Sequence, residues 1–159
     1  MSIDFFFIKT RPVKSPVRGT SESAGIDFFI PEDFEEVEVR PGSSVMIPSG
    51  IKCSYPPGYA LILFNKSGIA SKYKLTSLAN VCDSDYHGEI HISLINVGKD
   101  VVKVSPGMKI AQFILVPVAL AQPTEVENEE TLWNHWNNQR GGNASSERGE
   151  GGFGSTGEF

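Results

Sequence analysis

Ten prolines punctuate the first 123 residues of this chain, and none occurs after Pro123. Each lacks a backbone donor and fixes φ, so prolines at this density work against long helices throughout the body. The apolar runs between them are short and β-like: Ile3 to Ile8, Ile26 to Ile30, Val37/Val39, Val45/Ile47, Tyr59 to Phe64, Glu89 to Ile95, Val101 to Val104 and Ile110 to Val116. Turn signals such as Pro41-Gly42 and Pro56-Pro57-Gly58 bound them. In the run from Glu89, alternation sets Ile90, Ile92 and Leu94 on one face and His91 and Ser93 on the other. Many short strands of this kind predict a β-sandwich or barrel. A doubly wound α/β fold is disfavoured, because no long helical pattern separates the strands. One short helical turn is expected over Ser67 to Tyr73.

A chain of 159 residues suits one soluble domain that buries roughly 70% of its unfolded surface. Cys53 and Cys82 are the only cysteines and form no C-x-x-C pair, which argues against a zinc ribbon or disulfide scaffold and fits a reducing, cytoplasmic setting. The net charge of -5 disfavours a nucleic-acid surface but leaves room for a small anionic ligand held by local loops. The early apolar run Phe5 to Ile8 is far too short to span a membrane, and the acidic Asp4 before it is unlike a secretory leader.

The chain changes character near Pro123. We expect a body over 1–122, a tether over 123–147 and a Gly-rich arm over 148–159. The tether carries the acidic run Glu125, Glu127, Glu129 and Glu130, then Trp133 and Trp136, three apart on one face of a short helix. Their indoles are expected to pack on the body; a subunit, ligand or partner contact is the sharper alternative. From Gly141 onward, seven of nineteen residues are glycine, so the end of the chain cannot pack itself and is expected to be mobile when free.

Five clusters could carry chemistry. In the arm, Arg148 leads into Gly149-Glu150-Gly151-Gly152-Phe153-Gly154-Ser155-Thr156-Gly157. Such composition usually means a disordered end. Yet glycines let N–H groups converge on phosphate, Ser155 and Thr156 add hydroxyls, Arg148 adds a planar cation, and Phe153 could stack on a base. No Walker loop is present. The segment Asn80 to Glu89 holds Asp83-Ser84-Asp85-Tyr86; the bland reading is a solvated hairpin, the functional one a carboxylate at the barrel mouth that polarises water. Lys66-Ser67-Gly68 follows a strand and is compatible with phosphate, though such triplets are common by chance. Asp27 in Ala24-Gly25-Ile26-Asp27 means nothing alone. Gln112 is a polar residue in an apolar strand, by default a structural hydrogen bonder. His87, His91 and His135 show no metal-ligand spacing.

Taken in order, these segments resemble the five motifs of the homotrimeric dUTPase family (deoxyuridine triphosphate nucleotidohydrolases). A-G-x-D matches Ala24 to Asp27, R-S-G-hydrophobic-A matches Lys66 to Ala70, G-x-I-D-x-D-Y-R-G-E matches Asn80 to Glu89, and G-D-R-I-A-Q matches Gly107 to Gln112. R-G-x-G-G-F-G-S-T-G matches Arg148 to Gly157 at every fixed position. Any one motif is weak; five in order are specific. The resemblance implies an all-β, jelly-roll-like barrel of the β-clip type, a homotrimer with shared active sites, and a flexible arm that closes over the nucleotide. It implies hydrolysis of dUTP to dUMP and pyrophosphate with Mg²⁺. Asp83 would activate water for attack on the α-phosphorus, and Arg148 would neutralise developing charge. Asn80, Val81 and Cys82 would read the uracil edge through their backbone, and Tyr86 would pack beneath the deoxyribose. His91 would lie near the nucleotide. Lys66, Ser67, Gly68 and Gln112 would hold phosphate oxygens. Phe153 and Gly154 would cover the base, with Ser155 and Thr156 on the terminal phosphate. Asp27 would act on the metal only indirectly, through water.

The chain departs from the pattern at Lys66 (usually Arg), Asn80 (Gly), Cys82 (Ile) and Met108-Lys109 (Asp-Arg). Two rivals follow. One is a dCTP deaminase or bifunctional deaminase–dUTPase of the same superfamily. The other is a dUTPase-like regulatory protein that binds a partner, through 123–147, under nucleotide control.

Overall fold

The computed structural model of the chain describes residues 3–152. In chain order its strands are β1 (Phe6–Lys9), β2 (Val17–Arg18), β3 (Ile26–Phe29), β4 (Val37–Val39), β5 (Ser44–Pro48), β6 (Ile51–Ser54), β7 (Tyr59–Phe64), β8 (Leu75–Ala79), β9 (Val81–Cys82), β10 (His91–Asn96), β11 (Val102–Val104) and β12 (Lys109–Pro117). Two helices accompany them, α1 (Ser67–Tyr73) and α2 (Glu129–Asn138). The expected all-β, jelly-roll-like architecture is the one observed. Contacts divide the chain into two compact units, Met1–Leu120 and Ala121–Phe159.

In the first unit the largest sheet runs β2-β3-β12-β7-β9 and a second runs β5-β10-β8; β1 with β6 and β4 with β11 form two-stranded ribbons. Every strand pair is antiparallel. β12 is central, pairing with β3 on one side and β7 on the other. Its register against β3 shifts between Lys109 and Ala111, so one extra residue is inserted there. Ile110 and Ala111 are both 1% exposed, as a bulge that turns two successive side chains inward requires.

The core follows the alternation of the sequence. Ile90, Ile92 and Leu94 are buried while His91 is exposed. Phe28 and Phe113 pack with ring centroids 4.5 Å apart. Helix α1 stops at Lys74, which takes a left-handed φ of 55° and returns its N–H to the Ala70 carbonyl. The early apolar run behaves differently: β1 is exposed along its whole length, with Phe6 66% and Ile8 64% accessible. A ribbon paired only with β6 has no second layer to cover that face.

In the second unit, Asn128 caps α2 by accepting the Thr131 N–H at 2.9 Å, and Glu129 and Glu130 face the positive end of the helix dipole. The indoles of Trp133 and Trp136 line a groove of about 510 Å³ with Ser146, Gly149 and Glu150 of the same unit. The Arg140 guanidinium lies 4.3 Å from the Trp136 ring centroid. No described helix is long and apolar enough to cross a membrane.

Asn96 is fully buried at the end of β10. Its Nδ2 donates to the carbonyls of Val39 (2.9 Å) and Asp100 (2.7 Å), and its Oδ1 accepts the Gly98 N–H (2.9 Å). Asn96→Ala would leave three backbone groups without a partner, the Val39 carbonyl fully buried and the other two partly so, and is expected to cost about 2–4 kcal/mol. Urea unfolding checks this; a change below about 0.5 kcal/mol would mean that water replaces all three bonds.

Candidate active site

The first cavity, about 220 Å³, is lined by Asn80, Val81, Cys82, Asp83, Tyr86 and His91, with Phe113 and Ile90 among its apolar walls. Six residues singled out in the sequence therefore converge on one space. β9 positions the first of them: Val81 and Cys82 pair with Ile62 and Leu61, and the Asn80 carbonyl accepts the Leu63 N–H at 2.7 Å. Asn80 does not use a left-handed conformation; Lys74 is the only non-glycine with positive φ among the described residues. The change from Gly is thus neutral for the backbone here.

Beyond β9 the chain turns over Asp83–Tyr86, with the Tyr86 N–H on the Asp83 carbonyl. β8 and β10, which flank the segment, pair antiparallel with each other, so it is a wide hairpin connection in which β9 turns aside to pair with β7. Asp83 is exposed in the single chain, and Asp85 lies in the turn itself. The Tyr86 hydroxyl donates to the Glu89 carbonyl (3.0 Å), and that carbonyl also meets His91 Nδ1 (2.9 Å). The Tyr86 ring fills the space a Cβ on Gly88 would need.

Sequence reasoning missed what holds this loop. Arg11 grips Glu89 through two parallel bonds, Nε to Oε1 and Nη2 to Oε2, both 3.0 Å. The Gly50 N–H adds a third at 2.8 Å. Burial pushes the Glu89 carboxyl up, but the Arg11 and Gly50 donors outweigh it and hold the carboxyl below its ordinary range. These residues are 78 positions apart, so no local pattern could show the pair.

The second cavity, about 400 Å³, is lined by Gly19, Ser23, Gly25, Asp27, Lys66 and Gln112, among others. The register sets Gln112 opposite Asp27, so both side chains share a sheet face. Asp27 is the charge centre: Lys66 Nζ lies 3.1 Å from one oxygen and Lys109 Nζ 3.2 Å from the other. The β12 bulge puts Lys109 opposite Phe29, on the Asp27 face; an unbroken register would have turned it away. Gln112 Nε2 donates to the Asn65 carbonyl at 2.9 Å, the structural bond expected of it. Its Oε1 lies where a Cβ on Gly25 would sit, which explains that glycine. Ser67 and Gly68 open α1, and nothing lies within 4 Å of a Cβ built on Gly68.

The arm residues fall elsewhere. Arg148 belongs to the second unit, where its Nε donates to the Gly151 carbonyl at 2.8 Å. Phe153, Gly154, Ser155 and Thr156 lie outside the described residues. No three His, Cys, Asp or Glu side chains among the described residues cluster to hold a metal, and both Asp27 oxygens face ammonium groups. These residues build no protein cage for a cation.

A depressed carboxyl stabilises the fold above its ordinary value, and the contribution is lost as pH falls through the depressed one. Glu89→Gln is therefore expected to be less stable than the parent at pH 7, with the two converging below about pH 4. Urea midpoints across that range test this; a gap independent of pH would show that the Arg11 pair contributes nothing through charge.

Comparison with known proteins agrees with this geometry. The dUTPase family model matches residues 11–157. The deoxyuridine 5'-triphosphate nucleotidohydrolase of Chlamydia trachomatis serovar L2 is 36% identical over 156 residues, covering 96% of this chain and 98% of that protein. That of Gloeothece citriformis is 37% identical, covering 86% and 84%. The solved structure of Staphylococcus bacteriophage 80alpha dUTPase with dUPNHPP matches with a TM-score of 0.78 at 25% identity, over 97% of this chain and 98% of that one. A mutant dUTPase from phage phi11 of S. aureus, solved with a structural Mg(II) ion, matches at 0.71 and 23% identity, over 80% of this chain and 99% of that one. With its motifs in order, its fold matched and its third motif gathered round one cavity, the chain belongs to the dUTPase family.

Proposed function

We propose that this chain is a dUTP diphosphatase that hydrolyses dUTP to dUMP and pyrophosphate, lowering dUTP and supplying dUMP for thymidylate synthesis in the cytoplasm. The observation that carries the reading is the first cavity, where a solvent-accessible carboxylate, Asp83, stands beside the backbone of Asn80 to Cys82 and the ring of Tyr86. A main-chain edge of fixed shape suits a pyrimidine without a 5-methyl group, and the Tyr86 ring suits a sugar without a 2′-hydroxyl. His91 lines the same wall. Asp83 accepts a proton from water as it attacks the α-phosphorus. Such general-base help is commonly worth ~10²–10⁴-fold in rate.

Lys66 and Gln112 receive phosphate oxygens in the second cavity, and Ser67 and Gly68, which follow Lys66 at the start of α1, do so beside it. That cavity lies on the opposite sheet face: Phe113 lines the first, whereas its neighbours Gln112 and Ile114 line the second. One chain therefore offers two half-sites that face apart. This supports a homotrimer in which neighbouring subunits complete each site. From the arm, Arg148 neutralises charge at the phosphates, Phe153 and Gly154 cover the base, and Ser155 and Thr156 hold the terminal phosphate. Mg²⁺ fits as an ion brought by the triphosphate and its waters, and when bound it screens phosphate charge. Asp27 supports the site through its lysines and reaches the metal only through water.

Pyrophosphate release from dUTP, dTTP, dCTP and UTP, each with Mg²⁺ or EDTA, tests the reaction. Rapid Mg²⁺-dependent release from dUTP alone is expected, without ammonia from dCTP; ammonia would favour the deaminase reading. Asp83→Asn is expected to fold, bind nucleotide and lose ~10²–10⁴-fold in kcat, so wild-type turnover would unseat Asp83 as the base. Deleting 148–159 is expected to leave a folded protein with little activity, and full activity would remove the arm from the mechanism. The exposed Trp133 beside the acidic run supports a second, compatible reading, a protein contact through 123–147. Pull-downs with and without that segment test it.

A further inference from the structure

Helix α2 and the chain that follows it fold back on each other inside the second unit. The Asn137 side chain pins that return: its Nδ2 donates to the Gly142 carbonyl at 3.1 Å, and its Oδ1 accepts the Ala144 N–H at 2.8 Å. Further on the chain curls. Ser146 Oγ accepts the Gly149 N–H at 2.9 Å, and Gly149 takes a φ of 53°, which glycine adopts without strain. The Gly151 N–H donates to the Arg148 carbonyl at 3.0 Å, and Arg148 Nε donates back to the Gly151 carbonyl at 2.8 Å. The start of the arm thereby stays beside α2, and its Ser146, Gly149 and Glu150 line one groove with Trp133 and Trp136.

This groove suits a ring. Among the described residues its only apolar side chains are the two indoles. Arg140 lies over the Trp136 ring, whereas Trp133 is 55% exposed. The volume of about 510 Å³ exceeds the ~150 Å³ that admits a benzene molecule. The chain itself supplies a phenyl group. Gly151 and Gly152 carry no side chain, so the first one after Glu150 is Phe153. Three residues span at most ~11 Å, which puts Phe153 within reach of the groove that Glu150 lines.

We propose that the Trp133/Trp136 groove is the resting dock of Phe153 of the same chain, so that α2 keeps the arm off the nucleotide site until nucleotide takes the phenyl ring. One ring cannot fill the groove and cover the base at once, so the two positions compete. Arg148 fits the same resting arrangement: its Nε is spent on the arm's own Gly151 carbonyl and must leave it to reach phosphate. The apparent Kd for nucleotide is then the intrinsic one divided by the undocked fraction. An aromatic pair shifts such an equilibrium by ~2–10-fold beyond the area it buries.

The competition rests on the proposed role of the arm over dUTP, whereas the dock does not, so the two are measured separately. Trp133 and Trp136 are the only tryptophans of the chain, and intrinsic emission therefore reports the groove. In nucleotide-free, full-length protein, Phe153→Ala is expected to shift the emission to the red and to make it easier to quench with acrylamide. Unchanged emission and quenching would leave the groove to a partner protein or to nothing, and a response lost on dilution would place another copy's arm there; either overturns the proposal.

Calorimetry with the α,β-imido analogue of dUTP reads the competition. Trp133→Ala, which keeps a good helix former in α2, is expected to lower Kd ~2–10-fold. Trp133→Phe is expected to restore the parental value, and Trp133→Ala to have no effect once Phe153 is alanine. A Kd that does not fall, or that falls equally without Phe153, would overturn the competition. A parent protein that neither binds the analogue nor releases pyrophosphate from dUTP would instead overturn the reaction assignment, while the nucleotide-free emission still decides the dock.

Discussion

The site depends on one geometric constraint: consecutive side chains of a strand point to opposite faces. β12 is the strand that applies it. Past the bulge at Ile110, Gln112 and Phe113 pair with β3 on one side and β7 on the other, so neither can slip out of phase without breaking two ladders. Phe113 therefore belongs to the first cavity and Gln112 to the second, and no rearrangement of rotamers unites them. The separation of the two cavities is a property of the sheet. If the proposed function uses both, the missing half of each site has to come from another copy.

Two charge clusters serve these halves in different ways. Arg11 and Glu89 form a part-buried, bidentate pair, with the Glu89 side chain 15% exposed. Removing Arg11 leaves the Glu89 carboxylate without its cation, whereas Arg11 also has Asp33 at 3.5 Å; the pair specifies one arrangement more than it adds stability. What it specifies is the far end of the loop, since Tyr86 and His91 both bond the Glu89 carbonyl. With its side chain anchored to Arg11 and Gly50, Glu89 offers its backbone carbonyl as a fixed reference for two residues of the first cavity.

The legible parts of the fold were those where burial imposes a period. β7 spans the residues its apolar run marks, and β10 buries the face its alternation marks. The missed strands are the short or polar ones: β2 and β9 have two residues each, β6 reads Ile-Lys-Cys-Ser, and β8 reads Leu-Thr-Ser-Leu-Ala. Two residues cannot show a period of two. Turn chemistry marked the connection between β8 and β10, but the detour of β9 to β7 within it is a long-range pairing that no local pattern shows. For the site, the motif spacing brought Asn80 to Tyr86 and His91 together correctly. It could not show Arg11 or Gly50, because their contacts with Glu89 join distant segments and leave no local trace.

The same limit applies to Met108-Lys109, where the sequence predicts a changed network and the structure shows which. Met108 packs against the core and its sulfur accepts the Ser105 N–H at 3.3 Å, so the position that usually carries an acid becomes part of the apolar interior. Lys109 then has no neighbouring carboxylate in its own motif and takes Asp27, aimed there by the bulge. Lys66 takes the other oxygen. Two ammoniums on one carboxylate leave one positive charge uncompensated beside Gln112. Lysine at 66 keeps the charge but not the bidentate geometry of a guanidinium. The departures at 66 and 109 thus meet on a single carboxylate, Asp27.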